Sequence, residues 1–162
     1  MAKIEKNVAE YLQKFALAVG SQYGDDFSRK TYLEICDKEI TSPIERILFI
    51  SVRALIELNC IQNLHIVPQH IIGTFRADFL VWFEKDGKLK TLLVECDSRQ
   101  FHDRSEDERK KEKRRERYFV SSGYKLFRFT GSEIVRDPGK CAAEIVSYLT
   151  GLETADILTD SY

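Results

Sequence analysis

The sequence has almost no net charge. Its 25 Lys and Arg against 26 Asp and Glu leave a formal −1. Overall electrostatics therefore names no polyanionic partner, and any nucleic-acid surface has to be a local patch. No apolar run approaches membrane-spanning length, and the N-terminus lacks the apolar core of a signal peptide. The expected location is cytoplasmic. The four cysteines, Cys36, Cys60, Cys96 and Cys141, form no CxxC pair and no zinc-ligand spacing. They read as reduced and mostly buried. Internal repeats and low-complexity linkers are absent. At 162 residues with 43% hydrophobic content, one soluble globular domain is the expectation.

What the chain does have is order along its length. Ile4, Val8, Tyr11, Leu12, Phe15 and Val19 make a helical stripe that Gly20 and Gly24 end. A second helical piece is expected over Arg29 to Lys38. Residues 1–41 thus read as an N-terminal helical appendage, 42–150 as the core and 151–162 as a mobile tail. Ser42-Pro43-Ile44-Glu45 starts the core with a cap residue, a first-turn proline and a glutamate three residues on, a capping box. The helix runs to about Leu58. Leu64 to Ile72 reads as a strand that Pro68 assigns to an edge or a bulge. Thr74 to Glu84 and Leu89 to Asp97 form a hairpin about Asp86-Gly87. A charged helix from Ser105 to Ser121, a strand from Tyr124 to Thr130 and a helix begun by Asp137-Pro138 and ended by Gly151 follow. The fold class is α/β: a mixed four-stranded sheet flanked by helices, the last strand parallel to the third.

The chemistry is concentrated between Phe75 and His102. Asp78 interrupts the apolar run 75–83, and Glu95 and Asp97 end the run 92–97. A buried carboxylate is costly unless paired, hydrogen-bonded or metal-bound. Asp78 lies seven residues before Lys85, and Glu95 seven after Lys88. A symmetric hairpin sets them opposite each other, ~4.5–5.5 Å apart on one face. Ionised carboxylates so placed repel unless a cation lies between them. Mg²⁺, with Mn²⁺ as substitute, suits such hard oxygen ligands. Asp97 shares the face and extends the site or holds a second ion. The Cys96 side chain alternates away into the core, although its backbone carbonyl could reach the metal. The competing reading is a salt bridge from Arg76 to Glu95 or Asp97, with Glu45 fully explained as a cap. His102 could be a general base or a phosphate contact. Gln69 and Gln100 could orient water or phosphate. The charged helix and its approach, with Arg104, Lys110 and Arg114, reads either as a solvated face with i,i+4 pairs or as a phosphate-backbone contact. Arg128 alternates with Phe127 and Phe129 on the last strand.

These residues, in this order, resemble the PD-(D/E)XK nuclease superfamily, and most closely its branch of small proteins similar to very-short-patch-repair endonucleases. The likeness spans about Ser42 to Leu149. It is carried by Ser42-Pro43-Ile44-Glu45, Arg76-Ala77-Asp78-Phe79, Val94-Glu95-Cys96-Asp97, Phe101-His102, the charged helix, Gly123 to Phe129 and Thr130 to Ile134. It implies a restriction-endonuclease-like core and Mg²⁺-dependent cleavage of phosphodiester bonds, usually in DNA. Asp78 and Glu95 would then be metal ligands, and Glu45 would complete the site. Asp97 falls where the superfamily has a lysine, although this branch tends to carry Glu-x-Asp. His102 matches the branch histidine, and Ser98 stands where relatives often have Gly. The expected function is a metal-dependent endonuclease with Glu45, Asp78, Glu95, Asp97 and His102 as catalytic set. Arg76, Gln100, Arg104, Lys110 and Arg114 would contact nucleic acid. The alternatives are a degenerate nucleic-acid-binding module on the same fold, and a protein-interaction domain with salt-bridged carboxylates.

Overall fold

In a computed structural model, the described residues are 30–31, 34–35, 40, 42–98 and 104–157. The expected helix over Ile4 to Val19 lies outside them. Of the second helical piece, Lys30, Thr31, Glu34 and Ile35 are helical. Ile35 and Ile40 are buried in the main core, and Glu34 pairs with Arg53.

Helix α1 spans Pro43–Leu58, with Pro43 in its first turn where a missing N–H costs nothing. Strand β1 is Leu64–Ile72, β2 is Phe75–Lys85 and β3 is Lys88–Asp97. Helix α2, Glu106–Ser121, crosses over to β4, Leu126–Thr130. Two more helices, α3 (Gly131–Arg136) and α4 (Pro138–Thr150), close the domain. The sheet order is β1-β2-β3-β4, antiparallel except for the parallel β3–β4 pair. Pro68 thus sits on an edge strand, as its missing donor requires. Asp86 and Gly87 both have positive φ, 53° and 71°, which the tight hairpin turn demands.

One sheet face carries Phe79, Val81, Leu92 and Val94, packed with Phe49, Ile145 and Val146 of α1 and α4. On the other face, Leu93 and Ala77 meet Phe119 of α2. Leu92 to Glu95 are all buried, so the end of β3 is covered on both sides. No described helix is long and apolar enough to cross a membrane.

Two features depart from expectation. The short helix α3 is an addition, started by a capping box between Thr130 and Glu133. The expected mobile tail is partly ordered: Thr154–Asp156 forms a 3-10 turn and Ile157 is buried in the main core.

The β1–β2 turn also fixes α2. Gly73 has φ 59°, and a Cβ there would lie 2.1 Å from the Tyr118 hydroxyl oxygen. Tyr118 packs on Phe75 with ring centroids 5.2 Å apart. Gly73→Ala is expected to destabilise the fold by about 1–2 kcal/mol, chiefly from the strained φ, since the partly exposed Tyr118 side chain can give way. Urea unfolding checks this, and an unchanged midpoint would contradict the left-handed backbone at Gly73.

Candidate metal and phosphate site

The hairpin keeps its unshifted register from Lys85–Lys88 to Phe79–Val94. Asp78 and Glu95 are the next residues along the two strands, and both line one cavity of about 350 Å³. Asp97 and Ser98 continue its floor along β3. Arg115 of α2 and Arg128 of β4 form part of its wall. Arg128 is there because the parallel ladder pairs it with Glu95.

Each acid is held differently. Asp78 Oδ2 accepts a hydrogen bond from the Cys96 backbone N–H at 2.7 Å. Glu95 is 4% exposed. Its Oε2 pairs with Arg115, and its Oε1 is buried with no hydrogen-bond partner among the described residues. Asp97 pairs with Arg104, which also holds Glu112. The ion pairs of Glu95 and Asp97 are therefore made by Arg115 and Arg104. Arg76, the partner in the competing salt-bridge reading, is exposed.

The capping-box reading of Glu45 does not hold. Ser42 is the cap residue but makes no side-chain cap bond. The Glu45 carboxylate is hydrogen-bonded to the Ser42 side chain and also accepts from the Gln69 side-chain amide, Nε2 to Oε2, at 2.7 Å. It is near enough to Asp78 to feel its charge. Asp78 and Glu95 thus share the cavity, and Glu45 of α1, which does not line it, stands near enough to couple to Asp78. Burial, reinforced by the Asp78 charge, pushes both Glu45 and Glu95 up to about 7. Asp78 is raised by burial, against the pull of the Cys96 N–H and nearby arginines. The Cys96 thiol is pushed far up by burial and the same three acids, so it stays protonated.

Among the described residues, no three His, Cys, Asp or Glu side chains converge into a ready-made ion site. The unpartnered Glu95 oxygen beside Asp78 fits a cation bound by one or two carboxylates that keeps most of its water, the usual habit of Mg²⁺. His102 and Gln100 lie outside the described residues. Arg104, expected to contact nucleic acid, is committed to Asp97 and Glu112, and its side chain is only 7% exposed. Lys110 and Arg114 are exposed, Lys110 in an i,i+4 pair with Glu106 at 2.8 Å.

Sequence reasoning missed Arg115, Lys111, Glu108 and Glu112 as cavity residues. A signal existed: these four share helical spacing with Phe119, the only buried residue of α2. The stripe that faces the sheet is itself charged. The left-handed backbone of Gln69 left no such trace.

The raised carboxyls have a pH signature in EDTA. Glu95 titrates near 7 in the folded chain against an ordinary 4.5. The folded state holds a proton that the unfolded chain releases. Its stabilising contribution is complete below about 4.5 and is lost as pH rises through 7. Glu95→Gln mimics the protonated form. Its melting temperature relative to wild type should therefore rise between pH 4.5 and about 8. A pH-independent difference would contradict the raised carboxyl.

Residues 52–149, more than half of the chain, match the family model REase_MTES_1575. The match covers the whole sheet with Asp78, Glu95, Asp97 and Arg115, and it begins after Glu45. No curated protein and no solved structure gives a match. With its mixed four-stranded sheet flanked by helices, the chain belongs to the restriction-endonuclease-like family REase_MTES_1575.

Proposed function

We propose that this chain is a metal-dependent endonuclease that hydrolyses phosphodiester bonds of DNA, in the manner of the small very-short-patch-repair-like branch. The observation that carries the reading is the buried, unpartnered Glu95 Oε1 beside Asp78 in a cavity that arginines also line. A structural ion pair needs no spare buried oxygen. A ligand site does, because a naked carboxylate oxygen out of water is otherwise costly.

In this reading Asp78 and Glu95 hold Mg²⁺ or Mn²⁺, with the Cys96 carbonyl and Asp97 completing the set. The ion supplies Lewis-acid polarisation of the phosphate and a more acidic water. Asp78 is oriented by the Cys96 N–H, so its free oxygen points consistently. Glu45 adds a third carboxylate with its titration near neutral pH, suited to taking or giving a proton. Arg115 and Arg128 stand where the negative charge of a phosphate needs neutralising. His102 would assist proton transfer or contact phosphate, and Arg76, Gln100, Lys110 and Arg114 would meet the nucleic-acid backbone.

The ion pairs Arg115–Glu95 and Arg104–Asp97 also favour a second reading, a binding-only module on the same fold. Calorimetric titration with Mg²⁺ or Mn²⁺ separates the two, since a degenerate module binds neither. Asp78→Ala and Glu95→Ala are expected to abolish metal binding and lower cleavage at least about a hundredfold, the scale of losing one preorganised charge-stabilising group. Full activity in either variant would refute the ligand assignment. His102→Ala should lower turnover with metal affinity nearly unchanged. Silence in both assays would make that histidine incidental.

Charge reversal at Lys110 or Arg114 tests the outer, backbone-facing positions. Removing one cation that neutralises a phosphate should flatten the slope of log affinity against log salt by about one. An untouched slope would mean that nucleic acid docks elsewhere.

A further inference from the structure

Gln69 is the one residue of β1 with a positive φ, 54°. A non-glycine residue there is uncommon, and such strain persists where the surroundings hold it. The distortion is local. The β1–β2 pairs step from Pro68–Phe79 to His70–Ala77, with Gln69 and Asp78 left out of the bridge between them. The kink therefore sits directly across from the acid that anchors the cavity. It coincides with a side chain that leaves the strand's neighbours and reaches the first turn of α1. There Gln69 Nε2 donates to Glu45 Oε2 at 2.7 Å.

An amide is well chosen for this position. It donates to the carboxylate without adding charge beside a cavity whose ion pairs are already set. A lysine would pair with Glu45 and cancel it. A shorter asparagine would tolerate the left-handed backbone better but fall about one methylene short. Residues that relieve the strain thus forfeit the hydrogen bond, and the hydrogen bond explains why the strain is kept.

We propose that Gln69 is a positioning residue: its left-handed backbone aims the side-chain amide at Glu45 and clamps that carboxylate beside Asp78. The proposal rests on the nuclease reading for its catalytic consequence, but the clamp itself does not. Gln69 acts through Glu45 and needs no contact with substrate.

Two double-mutant cycles on the full chain test it, with Gln69→Asn and Glu45→Gln. The first measures urea unfolding in EDTA. Coupling is expected: Gln69→Asn should cost more with Glu45 present than with Glu45→Gln, whose neutral amide offers a weaker acceptor. Additive effects would overturn the clamp. The second measures cleavage with Mn²⁺. Gln69→Asn should lower kcat roughly ten- to hundredfold, the cost of misplacing a group by about 1 Å, with KM and calorimetric Mn²⁺ affinity little changed. In the Glu45→Gln background it should cost nothing further. Wild-type kcat for Gln69→Asn, or a second independent loss in the double variant, would refute the positioning role. A wild type that neither binds Mn²⁺ nor cleaves would sink the nuclease reading instead, and the EDTA cycle would still decide whether Gln69 holds Glu45.

Discussion

Two carboxylates that line one cavity, with a third close by, are withdrawn from solvent far enough to constrain what surrounds them. Glu45, Asp78 and Glu95 come from a helix and two paired strands, and the Asp78 charge raises the proton affinity of both glutamates. The fold answers each with a different partner. Asp78 takes a backbone N–H, Glu45 a neutral amide beside the Ser42 side chain, and Glu95 an arginine. The partners arrive from β3, β1 and α2, so electrostatics ties together elements that the apolar core alone would only stack. Removing a single partner would leave a buried charge uncompensated, which costs far more than the net worth of the pair.

The sequence announced the framework well because its signals were local. Asp86-Gly87 pins the hairpin, and the hairpin's symmetry alone carries Asp78 toward Glu95. Pro68 assigns the edge, and Ser105 with Glu108 closes the capping box that starts α2. Helix α3 was equally local, since Thr130 and Glu133 are spaced as a capping box. It was overlooked because six residues are too few for a periodic stripe to show. Ile157 in the core had no local marker at all: burial of a lone apolar residue after a glycine stop is decided by what the chain folds back onto.

The site was less legible than the fold, for a physical reason. Carboxylate positions follow from strand register, but partners follow from tertiary contact. Arg76 looked like the counter-ion because it is two residues from Asp78, yet the pairs are made by Arg115 and Arg104, distant in sequence and brought over by the crossover helix and its approach. Ser42 and Glu45 fit the capping pattern, but the box did not form. The Glu45 carboxylate keeps a hydrogen bond to the Ser42 side chain and takes Gln69 of β1 as a second partner, so the pattern reports where the helix starts but not the partner that arrives from across the fold.

The charged stripe of α2 follows from the same constraint. A helix laid over a sheet usually buries an apolar face, and only Phe119 of α2 is buried. Beside it, Glu112 and Arg115 reach Arg104 and Glu95. The helix is thus held partly by pairs that a ligand can compete for. In the proposed function Asp78 and Glu95 would hold a cation, and Arg115, which pairs with Glu95 in a cavity that Arg128 also lines, would share or yield that carboxylate. Ion binding and the docking of α2 would then be linked equilibria, each changing the other by the same free energy. The chain's near-zero net charge would be no obstacle to such a site, because the potential there comes from local partners rather than from an overall field.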